Sequence, residues 1–425
     1  MNPLHVYLVL HGWPPHQMGG VGLYVYHLAK SLSQIGHRVH ILHPHESNQL
    51  AITYTKEHWG ERIAVSIPKP TRWSETWKNP KVLRFIRRKL HRRHIDILHV
   101  HHLGGWPIEL ASAFPNARTV LTLHDYAIPC SRGQLFQLED GICSGPQTQK
   151  CARCIRAQLF HSPLNTPFLR ILDRYNSLKE IIKPILQMMT VDPVSALRMR
   201  RRIRTARKVL TQYQYILSPS HDLQQRFARM GFPKPQYQEL PLLTPIDPAP
   251  PITGPTRFLF ASTIIPSKGL HLLLDCMERH REAELIVAGH PAPYDGWPRY
   301  SETQLRRCEQ MANVSYLGAV PHTDIPALLK RVHCLVLPSL WPENAPIIVR
   351  EASAAGLEII CSDQGGAKEI APRAHRVANG DPMSLRRAIQ TVCKINGRQE
   401  AQHHISMQEH TSRLQHLYRT MEPHQ

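Results

Sequence analysis

No stretch of this chain approaches 18 consecutive apolar residues, so no transmembrane helix is expected. The opening segment, residues 1–12, lacks a basic leader and carries only a short apolar run. It reads as a first β-strand rather than a signal peptide, and a cytoplasmic protein is expected. None of the 28 histidines falls in zinc-protease or zinc-finger spacing, so their abundance reads as composition rather than metal binding. Basic residues are not interleaved with aromatics, which argues against RNA and makes nucleic acid an unlikely partner. Acid is scarce: Asp+Glu number 32 against 52 Lys+Arg, a formal charge of +20.

What is present is enough for two or three packed domains. The chain has 425 residues, 42% of them hydrophobic. The charge is uneven. Residues 1–250 hold 33 Lys+Arg against 15 Asp+Glu, whereas residues 251–425 hold 19 against 17. A basic first half either attracts an anionic partner, such as a lipid surface or an acidic small molecule, or is simply a solvated surface.

The pattern of the first forty residues changes period. Leu4, Val6, Leu8 and Leu10 alternate as a strand; Gly19-Gly20-Val21-Gly22 follows; then Val21, Val25, Leu28, Leu32 and Ile35 mark one helix face, and Gly36 ends it. Arg38–Leu42 reads as the next strand. This β–Gly-loop–α–β unit opens a doubly wound sheet. Strands are also expected at Ile95–Val100, Thr119–Leu123 and Ile216–Ser218, a basic helical region at 155–215, and a helix capped by Ser220. The proline-rich stretch 233–255 reads as a linker. Beyond it the rhythm restarts, with strands at Phe258–Ala261, Glu284–Ala288, Val314–Leu317, Cys334–Leu337 and Leu357–Cys361. Helices are expected at Gly269–Arg279, Thr323–Arg331, Pro346–Ala355 and Pro382–Cys393. The fold class is therefore α/β: two Rossmann-like parallel-sheet domains facing across a cleft. Their expected bounds are 1–245, with a Cys-rich insertion at about 126–160, and 246–396. A C-terminal helix in 397–425 is expected to pack back on the first domain.

The segment Trp341–Glu351 carries the strongest chemical signal. Glu343 falls in a loop after a strand, Pro346 suits a helix start, and Glu351 sits about one and a half turns into that helix. Two such acceptors can grip a polyhydroxy ligand, and N–H groups at the helix start can hold a phosphate. From spacing alone, Glu343 as a helix cap and Glu351 as the partner of a surface cation fit as well.

The segment ENAPIIVREASAAG (343–356) resembles the E-x7-E signature of glycosyltransferase family 4, whose members have the GT-B fold. Ser262–Gly269 with Lys268 is similar to that family's donor-phosphate loop. Ser362–Gly366 with Glu369, Gly380-Asp381-Pro382, Gly19–Gly22 and Thr122–Asp125 match further family segments in order. The resemblance implies retaining transfer of a hexose from a nucleotide sugar, in polysaccharide or glycolipid assembly, without a catalytic metal. It implies that Glu343 contacts the transferred sugar and Glu351 the ribose. Lys268 and the N–H groups around Ala345, Ile347 and Ile348 would neutralise the diphosphate, Gly20 would approach the phosphate or the acceptor, and His124 would bond the sugar near the reacting carbon. The family usually has Arg five residues before Lys268, where Thr263 stands here. Pro346 removes a backbone donor that Asn344 could replace with its side-chain amide. These departures leave open a catalytically impaired binding or scaffold protein.

Cys130, Cys143, Cys151 and Cys154 lie within 25 positions. They read as a structural zinc site, as free or redox-labile thiols, or as disulfides. The segment around His124-Asp125 and Cys130 resembles a family subgroup with a Cys-bearing insertion there. Residues 82–93 are amphipathic, with Leu83, Ile86 and Leu90 as the apolar stripe and Arg84, Arg88 and Arg92 as a basic row; residues 198–208 form a second basic helix. Both fit peripheral association with an anionic membrane at the inner face of the cytoplasmic membrane and a glycan or lipid-linked acceptor, or a core-packed helix with a solvated polar face. His99, His101 and His102 cluster at a strand end and are assigned no role.

Overall fold

The structure, a computed structural model, describes residues 2–13, 19–70, 73–137, 141–161, 194–294, 296–395 and 397–422. Two α/β domains are built on separate sheets. The first sheet contains β1 (His5–Val9), β2 (Arg38–Ser47), β3 (Ala51–Glu57), β4 (Gly60–Pro68), β5 (Ile97–Val100), β6 (Arg118–Thr122), a small separate hairpin of β7 (Phe136–Gln137) and β8 (Gly141–Ile142) beside it, then β9 (Tyr215–Ser218) and β10 (Gln236–Tyr237). Its spatial order is β10-β9-β6-β5-β1-β2-β4-β3, parallel except for the β3–β4 edge hairpin. The second sheet contains β11 (Arg257–Ala261), β12 (Glu284–Ala288), β13 (Val314–Gly318), β14 (Cys334–Leu337), β15 (Glu358–Ser362) and β16 (His375–Val377). Its order is β13-β12-β11-β14-β15-β16, parallel throughout.

The residues explain these choices. Val6–Val9, Ile97–Val100 and Cys334–Leu337 are buried along their whole length, as central strands of a sheet covered on both faces must be. The Gly20–Gln34 helix buries Tyr24, Val25, Leu28, Ala29 and Leu32. It ends where Gly36 takes φ +90. Ser220 accepts the Leu223 N–H at 3.2 Å and so caps the His221–Arg229 helix.

Several expectations shift. The Pro80–Leu90 helix buries Val82, Ile86 and Leu90, so the buried line starts at Val82 and not at the expected Leu83. Arg84, Arg87, Arg88, Lys89 and Arg92 face outward. The region expected to be helical at 155–215 contains the Thr148–His161 and Ala196–Leu210 helices, and the part of it at 162–193 lies outside the described residues. The β3–β4 hairpin and the Tyr300–Gln310 helix are features the sequence reading passed over.

The chain crosses between the domains twice, and the crossings are tied together where the Leu242 N–H donates to the Ile405 carbonyl at 2.9 Å. The second crossing leads to the Met407–Thr420 helix, which lies on the first domain against the Gly20–Gln34 helix. Its Tyr418 is fully buried and its hydroxyl meets His99 Nδ1 at 2.6 Å. Tyr418→Ala is therefore expected to destabilise the first domain by about 3–5 kcal/mol, the usual range for emptying a buried aromatic site. Urea unfolding would show this as a lower midpoint, and an unchanged midpoint would contradict the packing described.

Candidate active site

In a doubly wound sheet ligands bind beyond the carboxyl ends of the strands, at the point where strand order reverses. In the second sheet that point lies between β11 and β14, whose registers align Phe258 with Cys334 and Leu259 with Leu335. The loop after β11 delivers Lys268, and the loop after β14 delivers Glu343. Gly269 takes φ +75, and a Cβ there would stand 2.1 Å from the Pro338 carbonyl oxygen. Only glycine fits, so the two loops can touch.

Glu343 is 5% exposed. A single oxygen, Oε1, accepts from Lys268 Nζ at 2.5 Å, from Ser339 Oγ at 2.6 Å and from Trp341 Nε1 at 2.9 Å. Lys268 Nζ also stands 5.0 Å from the centre of the Trp341 ring. The Glu343 main chain is fixed as well, because its carbonyl accepts the Gly366 N–H at 2.6 Å. Gly365 and Gly366 leave no room for a Cβ against residues 343 and 344.

Glu351 lies in the Ile347–Ala354 helix and is 2% exposed. Its carboxylate is not in bulk water; it is hydrogen-bonded to His322 Nε2. His322, from the turn after β13, is a site residue that sequence reasoning missed. Its only signal was its place after a strand end, beside Pro321.

The helix start faces the first domain. A Cβ on Gly20 would stand 3.2 Å from the Ile347 side chain, so the glycine loop and the helix N-terminus approach closely. Ala345 and Ile347 pack against the first-domain cluster that includes Val21, and Ile348 against a second-domain cluster. Asn344 corrects an expectation. Its amide does not point to a donor site: Oδ1 accepts from Ser220 Oγ at 2.7 Å, and Nδ2 donates to the Leu123 carbonyl at 3.0 Å. Both partners belong to the first domain, so Asn344 acts as an interdomain tie. Glu369 makes a second one, accepting the N–H groups of His221 and Asp222, each at 2.7 Å. A carboxylate so placed satisfies helix-start donors and complements the helix dipole.

His124 follows β6. Its Nε2 lies 3.3 Å from His101 Nδ1, and its ring packs by Tyr24. Burial, with help from the nearby His102 charge, pushes His124 down to about 3, so it is a neutral hydrogen-bonding imidazole rather than an acid. His99 and His101 are pushed well down by burial, and His410 of the C-terminal helix falls to about 3 for the same reason. His410 Nε2 pairs with the Tyr24 hydroxyl at 2.8 Å. His102 differs: the Asp125 carboxylate, 2.8 Å from Nε2, outweighs the burial that pushes it down and holds it above its usual value.

The insertion cysteines lie near one another: Cys151 feels the charge of Cys130, Cys143 and Cys154. Among the described residues no three His, Cys, Asp or Glu side chains are grouped to hold a metal ion, and all four thiols are free. Cys143 Sγ donates to the Gly145 carbonyl at 3.4 Å, and Cys151 Sγ accepts the Gln147 N–H at 3.3 Å. Burial pushes the Cys130 thiol up and the Cys151 thiol up to about 11, so both keep their protons.

Comparison with known proteins bears on this geometry. Residues 246–408 match the family described as Glycosyl transferases group 1, and residues 18–141 match Glycosyltransferase Family 4. The putative glycosyltransferase YtcC of Bacillus subtilis is 32% identical over 118 residues, which cover 26% of this chain and 29% of that protein. The match thus spans less than a third of that relative's length. Among solved structures, sucrose-phosphate synthase of Thermosynechococcus elongatus superposes with a TM-score of 0.66 at 16% identity, over 98% of both chains. Anabaena HepE, in complex with UDP and glucose, superposes at 0.61 and 12% identity, over 98% of this chain and 100% of that one. These likenesses establish the GT-B fold, and both halves of the chain are glycosyltransferase-like in sequence.

The histidine cluster generates a pH prediction. His124 and His410 have values near 3 when folded against 6.5 for the free side chain. Between those values the unfolded chain binds more protons, so their contribution to stability is complete above about pH 6.5 and is lost as pH falls through the window. Melting temperature should drop from pH 7 toward pH 5. His410→Asn should flatten that slope, whatever it does to the melting point at pH 8. A slope as steep as that of the unmodified protein would rule out His410 as a contributor.

Proposed function

We propose that this protein transfers a sugar from a nucleoside-diphosphate sugar to an acceptor hydroxyl, with retention of anomeric configuration. The observation that carries the reading is the Lys268–Glu343 pair at the strand-order reversal of the second sheet, opposite Gly20 and His124 of the first domain. The family matches in both halves and the UDP and glucose held by Anabaena HepE support it.

The chemistry follows from charge. When the anomeric C–O bond breaks, negative charge grows on the diphosphate. Lys268 and the first N–H groups of the Ile347–Ala354 helix are placed to stabilise it, with Gly20 leaving the approach clear. No catalytic metal is invoked, since one cation and a helix start supply this charge. Glu343 contacts the sugar hydroxyls; three donors hold its Oε1 and leave Oε2 for the ligand. Glu351, steadied by His322, takes the ribose hydroxyls. Neutral His124 hydrogen-bonds the sugar near the reacting carbon.

The acceptor side is the basic first domain. Arg84, Arg87, Arg88, Lys89 and Arg92 line the outer face of one helix there, and Arg200, Arg201, Arg204, Arg207 and Lys208 that of another. These rows suit a lipid-linked or anionic glycan acceptor in cell-surface polysaccharide or glycolipid assembly, met at the inner face of the cytoplasmic membrane. No helix of the described residues is long and apolar enough to cross a membrane. The loop after His124-Asp125 fits the subgroup with a Cys-bearing insertion.

Two predictions test this. With nucleotide sugars as donors, Glu343→Gln and Lys268→Ala should each lower kcat/KM by about 10²-fold or more, as loss of a preorganised charge contact does. Release of the nucleoside diphosphate is the measurement; a wild-type chain that releases none from any donor would leave only a binding or scaffold role. Liposomes containing anionic lipid should sediment the protein at low salt and lose it at high salt. Replacing Arg84, Arg88 and Arg92 by Gln should abolish that sedimentation, and equal binding to neutral liposomes would refute the electrostatic account.

A further inference from the structure

We propose that the loops at the strand-order reversal of the first sheet form the acceptor site, where Asp125 receives a hydroxyl of an acceptor sugar and His102 is its positioning residue. The inference rests on the reading of the cleft as a sugar-transfer site, and it names the chemistry of the acceptor's contact with it.

The rule that places Lys268 and Glu343 holds for the first sheet too: ligands bind beyond the carboxyl ends of the strands, where the order reverses. Here that point lies between β1 and β5, whose registers align Val9 with Val100. The loop after β1 delivers His11 and the loop after β5 delivers His102, with ring centres 4.1 Å apart. Asp125 comes from the loop after β6, the neighbour of β5, and its Oδ2 lies 2.8 Å from His102 Nε2. The Asp125 segment abuts the donor loops. The Leu123 carbonyl accepts from Asn344 Nδ2 at 3.0 Å, and the Tyr126 ring stands 6.4 Å from that of Trp341.

The hydrogen bonds leave Asp125 with capacity to spare. The Gly104 N–H donates to His102 Nδ1 at 2.8 Å, so Nε2 carries the imidazole proton and donates to Asp125 Oδ2. Asp125 Oδ1 accepts the Ala127 N–H at 2.8 Å. A carboxylate oxygen can accept two hydrogen bonds, so each keeps one position open. Burial pushes the Asp125 carboxyl up, but the charge and hydrogen bond of His102, with the Ala127 N–H, bring it below its usual value. The side chain is 28% exposed, so a ligand can reach it. Beside it, His11 Nδ1 is buried without a hydrogen-bond partner among the described residues. Unused polar capacity on a carboxylate and an imidazole suits a polyhydroxy ligand. A carboxylate repels phosphate, so the group received here is a hydroxyl, and any anionic end of the acceptor lies elsewhere.

The imidazole is held in place. A Cβ on Gly104 would stand 2.9 Å from His102 Cε1 and 3.1 Å from His11 Cβ, so the loop after β5 closes directly on both residues. A carboxylate gripped on one oxygen by a fixed imidazole and on the other by a backbone N–H cannot swing. It presents its open positions in one direction, which is what orienting a sugar requires.

The experiment measures transfer by the full chain from UDP-glucose, ADP-glucose and GDP-mannose to octyl glucoside, octyl galactoside and octyl mannoside, with calorimetric titration of UDP, ADP and GDP alongside. Asp125→Asn keeps the shape and removes the charge. It is expected to raise the acceptor KM about ten-fold or more, the worth of one charge-assisted contact, with the diphosphate Kd unchanged. His102→Leu frees the carboxylate to swing and should raise the acceptor KM in the same sense, whereas His102→Gln keeps a donor and should recover part of the loss. An acceptor KM that moves while kcat and the diphosphate Kd hold is what a merely structural histidine would not produce. An acceptor KM unchanged in Asp125→Asn, or a diphosphate Kd weakened in proportion, overturns the proposal and leaves the donor site in place. So does a wild type that binds a diphosphate but transfers to none of the octyl glycosides. If the wild type binds none of the diphosphates, the donor-site reading fails and this inference with it.

Discussion

A buried carboxylate at the meeting point of two domains organises this molecule. Glu343 Oε1 accepts from Lys268, Ser339 and the Trp341 indole, while the Glu343 carbonyl accepts from Gly366. A carboxyl group out of water is tolerable only with such partners, because leaving one donor out leaves a polar oxygen unpaired in a medium of low polarity. The consequence is rigidity: the loops after β11, β14 and β15 must keep their mutual positions. The positive φ of Gly269 and Gly365 and the missing side chain of Gly366 are conditions for that contact.

The same requirement reaches into the first domain. Asn344 follows Glu343 directly and ties to Ser220 and Leu123, and Glu369 follows the glycine pair and caps the helix that Ser220 begins. The segment that fixes the carboxylate is thus also the segment that joins the domains.

The C-terminal helix adds a second, different kind of closure. It places Tyr418 and His410 against His99 and Tyr24, beneath the His101–His124 pair. Neutral imidazoles and phenols satisfy one another there without net charge, which is how a polar cluster can lie in a core. His124 is held at the cleft by residues from both ends of the chain.

Much of the fold was legible in the sequence because parallel strands buried on both faces leave continuous apolar runs, as at Cys334–Leu337, and amphipathic helices leave a 3.6-residue period, as in Gly20–Gln34. The β3–β4 hairpin escaped notice because an edge strand with mixed burial carries a weaker pattern. Glu343 and Glu351 could be named from their places after a strand and on a helix, and Lys268 from the resemblance of Ser262–Gly269 to a family's phosphate loop. Their partners could not: His322, Trp341 and Ser220 meet the site through distances in space that spacing along the chain does not encode. The sequence by itself determined two doubly wound domains and the acidic and basic residues at their loop ends. Only the tertiary structure decided that Asn344 ties the two domains together and that His322 meets Glu351. Each of those depends on which loops the two sheets bring face to face.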